Sequence, residues 1–500
     1  MWNSKRTIIY FILISFISIG VFYMSNNSRE KKIIVWMRFK PESTDPLDYD
    51  LNVHHVTMRS VYASLVSLYE NGKVTPQIAQ SWESNSEKDI WKLTLNNDLT
   101  FANGDKITPQ IVLKTFKRLV LVKNKSDSKS GFLEYLKGFH KLKSMNDNLE
   151  GIEITENKLV FSFIKPMPNF LEKVSFGFYS IVHPSQFDDD GKWLNKKNTI
   201  SSGLYEISKW DNEHFELKLR KNQPKVNYDK KIDTIEFNFS TDPDQVLRSD
   251  IILRERLNYL VDEDEWHYAS TLEDSNIVYV KIMKWNNPDS IYSSSTIRKS
   301  LRNLFYKNLK KAGYEATKSF FPLSIKGVSE FKDSELYNQI PKVSLITMPP
   351  FFKPLKSAKN KEKLDLGEIY KLGFEKFCGE LSVQFAYKDY PEKFEDEEKI
   401  FDLQYLGTGI DIADPYDDIK FMFLSKHGIQ LPDSNGNILK LLEKREFNVQ
   451  EINKELWDQA IIWPIRHYSQ GFWIKKSSKI DITKLNLSLN PIDFQFLGLD

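Results

Sequence analysis

The side chains able to do chemistry in this sequence do not gather into a reactive motif. There is no phosphate-cradling loop with a following lysine, no paired-histidine zinc motif and no serine set on a strand-to-helix elbow. His54 and His55 are adjacent, so on a helix or a strand they point in different directions and make a poor metal pair. Serine, histidine and aspartate all occur without the spacing of a triad. The acidic run from Asp389 to Asp402 is interleaved with Lys393 and Lys399 and reads as a solvated face. Cys378 is the single cysteine, which excludes a disulfide framework and a cysteine-rich metal site and fits a small buried apolar residue. Nothing here gives a reason to expect an enzyme, a metal or a cofactor. Two carboxylates in GIDIADPY are more informative. Asp414 can cap, and Pro415 can open, a helix ending near Leu424. Asp411, in the preceding turn, has no such structural explanation.

The elements that would position these residues mix both periodicities. Alternation predicts strands at Trp91–Leu95, Leu159–Phe163, Phe215–Leu219, Ile235–Phe239 and Ile277–Met283. Thr108 as cap and Pro109 in the first turn start a helix whose Ile111, Val112, Phe116 and Leu119 share a face. A second helix runs from Thr296, with Ile297, Leu301, Leu304, Phe305 and Leu309 on its apolar stripe. Val343–Thr347, a helical stretch around Leu366–Phe377 and the strand Leu381–Phe385 form a β-α-β unit. The whole is a multi-domain α/β chain, and its 500 residues are enough for about three domains.

Seventy basic against sixty-eight acidic residues leave a net charge of +2, so no strong field points to nucleic acid. At the amino end Lys5 and Arg6 precede an apolar run from Ile8 to Met24, followed at once by the polar tract Ser25–Lys32. Basic residues on the leading side keep that side cytoplasmic and place the rest of the chain outside. The run is long for a signal-peptide core and slightly short for a span, so cleavage and retention as an anchor by residues 8–24 both stay open. No cysteine follows it to carry a lipid.

A family resemblance emerges from Val61–Leu119, VYASLVSLYENGKVTPQIAQSWESNSEKDIWKLTLNNDLTFANGDKITPQIVLKTFKRL. A helix ending near Leu65, Pro76–Glu83 as Pro-x-x-Ala-x-x-Trp-Glu, a strand, the turn Phe101–Asp105 and a Thr-led helix follow one another. Asp45-Pro46 stands upstream. Downstream come Ser202-Gly203-Leu204-Tyr205 before the strand Tyr205–Lys209, then Ile297–Leu301 and FDLQYLGTGIDIADPYDDIKFMF at Phe401–Phe423. In number, order and spacing these resemble the family 5 bacterial solute-binding proteins, whose best-known members bind oligopeptides and dipeptides. The chain departs from the family pattern at Ser201–Tyr205, where Gly-Thr-Gly-Pro-Tyr is usual, and in lacking a glycine before Asp262.

The resemblance implies an α/β, periplasmic-binding-protein-like class II fold: two lobes with a hinge, closing over an extended ligand, plus an inserted third domain. It implies residues 1–28 as signal peptide or anchor and lobe I from 29–66, 173–268 and 476–500. Residues 67–172 would be the inserted domain and 269–475 lobe II. It places the first-lobe ligand edge at Asp50, Leu51 and Asn52 and the second at Gly407, Thr408 and Gly409. Asp411 takes the position that pairs with a peptide's α-ammonium. The implied partners are a peptide and the permease subunits of an ABC importer, with the protein itself a monomer. The same fold with another solute (sugar, opine, metal chelate or haem) is one alternative; a membrane-tethered sensor that has lost transport is another.

Overall fold

The computed structural model describes residues 31–481 apart from 39, 48–51, 70–72, 126–130, 195–198, 212–213, 223–231, 254–259, 271–275, 333–344, 349–365, 382–383, 388–399, 410–414, 425–436, 443–446 and 470. Strand β1 (Lys32–Trp36) leads to helix α1 (Asn52–Val61) and a ribbon of β2 (Val66–Tyr69) and β3 (Lys73–Pro76). Then come β4 (Ala79–Ser84), β5 (Ile90–Leu95), helix α2 (Pro109–Lys125), β6 (Ile152–Thr155) and β7 (Lys158–Ser162). These four strands pair antiparallel in the order β4-β5-β7-β6. The chain returns to β1 with β8 (Tyr205–Trp210), β9 (Phe215–Leu219), β10 (Thr234–Asn238), β11 (Ile251–Ile252) and β12 (Trp266–Ser270). It leaves again with β13 (Asn276–Ile282), helix α3 (Ser295–Lys311), β14 (Leu345–Met348), helix α4 (Leu366–Leu381) and β15 (Gln384–Tyr387). After β16 (Leu403–Gly409), helix α5 (Pro415–Leu424), helix α6 (Val449–Gln459) and β17 (Ile462–Tyr468), strand β18 (Gly471–Lys475) rejoins the first sheet.

Two sheets organise the molecule. One has seven strands, ordered β12-β18-β11-β1-β10-β9-β8; the other has three, ordered β16-β13-β17. In the first, β1 runs parallel to β10 and β11, so strands distant in sequence lie side by side. The expected division put residues 269–475 in one lobe. The pairing differs at both ends: Ala269 and Ser270 pair with Phe472 and Gly471, and β18 hydrogen-bonds β11 as well. Gly471–Lys475 thus belongs to the seven-stranded sheet, because its backbone groups find their ladder partners there.

Local patterning explains the elements. In α2, the Thr108 hydroxyl accepts from the Ile111 amide at 3.4 Å, and Val112, Phe116 and Leu119 are buried. β13 is buried along its whole length, because Val278, Val280 and Ile282 face one apolar cluster while Ile277 and Tyr279 face another. β14 and β15 pair parallel across α4, as a β-α-β unit requires. The last strand starts at Gln384 instead of Leu381. Leu381 continues the stripe of Phe374 and Phe377 and packs on the same cluster, so the helix extends through it. Phe305 of α3 meets Phe374 with ring centroids 4.5 Å apart. Cys378 is buried in this cluster, and desolvation pushes its thiol up to about 12.

Helix α1 stops at Val61, short of Leu65, because the segment Ser201–Gly203 takes over its last carbonyl, that of Val61. The Ser201 hydroxyl donates to Val61 O, the Gly203 amide donates to the same oxygen at 2.8 Å, and the Ala63 amide donates to Ser202 Oγ at 2.9 Å. A Cβ on Gly203 would lie 2.7 Å from Ser60 O and 2.8 Å from Val61 O, both backbone atoms that cannot swing away. The buried Arg220 guanidinium then closes the corner, donating to Gly203 O and Thr100 O, each at 2.7 Å.

Two outcomes follow. Gly203→Ala should destabilise by about 1–3 kcal/mol in urea unfolding, the range for overpacking. Gly104→Ala, with φ +93° and no atom within 4 Å, should lose only the strain of its backbone. On the surface, Glu380 accepts from Lys307 at 2.6 Å and Lys311 at 2.9 Å, and these bonds lower its carboxyl from 4.5 to about 2. A depressed folded value means the clamp's contribution is present above the unfolded value and lost as pH falls through about 2. Glu380→Gln should therefore make the acid limb of thermal stability shallower between those limits.

Candidate ligand-binding site

The two sheets are joined twice, and both joins leave from one end of the three-stranded sheet. β12 ends at Ser270 and β13 begins at Asn276; β17 ends at Tyr468 and β18 begins at Gly471. Three Cα steps from Tyr468 to Gly471 reach at most about 11 Å. Antiparallel pairing brings the far end of β16 to the same place, with Gly409, Thr408 and Gly407 opposite Asn276, Ile277 and Val278. The expected second-lobe residues therefore sit at the end of their sheet nearest the other sheet.

Side-chain direction divides that end into two faces. Ile277 is core, and His467 turns to the same side, where its Nε2 lies 3.2 Å from Phe320 O. Thr408 shares that side by its register and is half-buried. Gly407, Gly409, Asn276, Arg466 and Tyr468 alternate to the other side. Gly407 and Gly409 are exposed. A Cβ on Gly407 would meet Ile277 O at 3.5 Å and Tyr468 Oη at 3.9 Å, ordinary contacts, so packing does not demand glycine there. The glycines are strand residues, not turn residues, and leave backbone open. Among the described residues β16 has a ladder partner on one side only.

The expected first-lobe edge would follow the segment after β1. Asp45 and Arg118 form an ion pair at 2.5 Å with both side chains more than nine-tenths buried. Arg118 also donates from Nε to Gly191 O at 2.9 Å, and its guanidinium lies 4.9 Å from the Trp193 ring and 5.4 Å from that of Phe187. Trp193 donates to Thr44 Oγ1 at 3.1 Å, and Asp45 Oδ1 accepts from the Leu47 amide at 3.1 Å. Residues 43–47 are thereby fixed just ahead of the expected ligand edge. Asp50 and Leu51 lie outside the described residues, as does Asp411. Asn52 is the first residue of α1, so an extended edge on this side does not include it.

Arg118, Arg466, Tyr468 and Tyr268 were not found from the sequence. Arg118 had a signal: it falls three after Thr115 and seven after Ile111, a charge on the stripe that faces inward. Tyr268 had none. Half its surface is exposed, its ring centroid is 5.0 Å from that of Trp473, and it crosses Gly471 so closely that a Cβ there would meet Tyr268 Oη at 2.2 Å. Among the described residues no group of histidine, cysteine and acidic side chains could hold a metal ion, and no helix is long and apolar enough to cross a membrane.

Residues 73–249 match the family described as bacterial extracellular solute-binding proteins, family 5 Middle. The chain carries the family 5 solute-binding fold. Among curated proteins, the periplasmic murein peptide-binding protein MppA of Escherichia coli is 24% identical over 185 residues, 36% of this chain. That match spans 34% of the relative, about a third of its length. Across the whole fold, Haemophilus influenzae OppA in complex with the peptide RPPGFSPFR superposes with a TM-score of 0.70 at 14% identity, covering 94% of this chain and 99% of that one. Staphylococcus aureus NikA in complex with Ni(L-His)2 gives 0.68 at 14%, covering 94% and 100%. The family 5 fold expected from the sequence is the one found.

Breaking the buried pair tests how this fold holds the segment after β1. Asp45→Asn should destabilise by about 3–5 kcal/mol, because Arg118 keeps its charge without a counter-charge. Removing both charges, as Asp45→Leu with Arg118→Met, should recover most of that loss in urea unfolding.

Proposed function

We propose that this chain is an extracytoplasmic solute-binding protein that captures peptides between two lobes for an ABC importer. The observation that carries the reading is the far end of β16, which among the described residues has β13 as its ladder partner and ends in the exposed Gly407 and Gly409 at the joint between the sheets. A peptide of arbitrary sequence is held through its main chain by adding it as a strand to such an edge, with side-chain pockets secondary. Gly407, Thr408 and Gly409 form one edge, and Asp50 and Leu51 supply the facing one. Asp411 receives the peptide's α-ammonium, since a buried ammonium needs a fixed partner. The protein binds and does not catalyse, works as a monomer and delivers to membrane permease subunits.

The lobes of this reading follow the sheet pairing. Lobe I comprises residues 29–66, 173–270 and 471–500, lobe II residues 276–468, and the inserted domain residues 67–172. The segment 1–28 exports the chain and either leaves as a signal peptide or stays as an anchor through 8–24. The likeness to a nickel–histidine binding protein makes a metal chelate the competing ligand.

Titration calorimetry with a bound peptide decides between them. Asp411→Asn should weaken binding by roughly thirtyfold or more, from about 2–5 kcal/mol for one partner of a desolvated pair. Acetylating the peptide's amino terminus should cost a similar amount in the wild type and much less in the mutant. Additive losses would place the ammonium elsewhere. Native mass spectrometry showing a metal chelate instead of a peptide in protein from its own host would replace the ligand class.

A further inference from the structure

We propose that the Ser185 hydroxyl is a nucleophile that accepts an acyl group from activated esters, with His183 as its base and Asp105 holding that base in place. The three side chains form one hydrogen-bonded chain: Ser185 Oγ lies 2.7 Å from His183 Nδ1, and His183 Nε2 lies 2.9 Å from Asp105 Oδ2. Asp105 stands 78 residues before His183, so spacing along the sequence does not show the set. Asp105 comes from the turn after β5, where the Ala102 amide donates to Ser201 O at 2.8 Å and docks the turn. None of the three residues lies on β16 or in the segment after β1, so this inference stands apart from the ligand reading.

The direction of each bond follows from a donor that has no choice. The Ser185 backbone amide also points at Nδ1, at 3.2 Å, and an N–H can only donate. Nδ1 therefore carries the lone pair and Nε2 the proton, which goes to the Asp105 carboxylate. That carboxyl is held below its usual range, first by the Asn103 side-chain amide at 2.6 Å and then by His183, so it stays an acceptor. Capping the turn Pro184–Gln186 accounts for the bond from the amide, but not for the hydroxyl or for Asp105. The ring is held in line by the buried Phe101, which meets it edge-on with centroids 5.0 Å apart, while Ser185 is exposed to a reagent. In the step itself Ser185 Oγ bonds to the carbonyl carbon and the ester's C–O bond breaks. The hydroxyl proton passes to His183 Nδ1 and then to the departing oxygen, and Asp105 stabilises the imidazolium formed between. The amide after the serine is already used, since Gln186 N donates to His183 O at 3.0 Å. Lacking that donor for the oxyanion, the site depends on esters with a good leaving group and suits a single marking, not turnover.

The test treats the purified protein with p-nitrophenyl acetate and locates acetyl groups by peptide mass spectrometry, using hydroxylamine to separate serine esters from lysine amides. Ser185 should be acetylated on the order of a hundredfold faster than Ser86, which is exposed between β4 and β5. His183→Gln should remove most of that advantage. Asp105→Asn should remove a smaller part, because the Asp105 side chain is 59% exposed and water can take the Nε2 proton's bond. In the wild type the Ser185 rate should rise with pH and level off once the imidazole is neutral, whereas the Ser86 rate should keep rising with hydroxide. Equal rates at the two serines, or an advantage that survives in a folded His183→Gln protein, overturns the inference. If His183→Gln does not fold, as judged by thermal unfolding, the two pH profiles decide: a Ser185 profile parallel to that of Ser86 overturns it equally.

Discussion

A guanidinium and a carboxylate held out of water between three segments fix the stretch of chain that follows β1. Desolvating two charges is expensive, and attraction repays it only when geometry is close and the remaining donors are used. Arg118 meets both conditions: Asp45 at 2.5 Å, Gly191 O at 2.9 Å and two aromatic faces. The pair binds the segment after β1 to α2 and to the loop carrying Phe187 and Trp193. Such a pair adds little net stability over apolar residues of similar size. Its contribution is position, since neither charge tolerates a displaced partner. The close approach of Gly203 fixes the end of a different helix, α1.

Much of this was legible in the sequence, and the reason is local. Strands β5, β7, β9, β10 and β13 were each read within a residue or so, because one or both faces are buried and the pattern of apolar residues reports it. The same holds for α2, with its Thr108 and Pro109 start. The glycines of β16 and the Asp45-Pro46 pair were reached through family resemblance, which carries their positions without giving a cause. The causes are long-range. Asp45 needs Arg118, 73 residues away, and the early stop of α1 needs Ser201 to Gly203. Neither partner leaves a mark near the residue it acts on. The displaced strand after α4 shows the converse case: Leu381 fits a strand by alternation and a helix by its stripe, and packing beside Phe374 and Phe377 decides for the helix.

Tyr468 and Asn276 are tied by one side-chain hydrogen bond across neighbouring strands, and Tyr268 lies over Gly471 on the far side of the joint. An aromatic ring over a glycine resists approach yet can turn aside, because half of Tyr268 is exposed.

The position of β18 has a consequence for how the chain reaches its native state. Residues 471–475 fill the second place in the seven-stranded sheet, between β12 and β11. Until they arrive, β12 has no neighbour among the described strands and β11, two residues long, lacks one of its two ladders. The sheet cannot be completed before residues 471–475 are available, whatever the order of its earlier steps. Contacts between residues more than two hundred positions apart are slow to form and leave strand edges exposed meanwhile. Completion of the first sheet therefore depends on a strand that is made after all the others of that sheet.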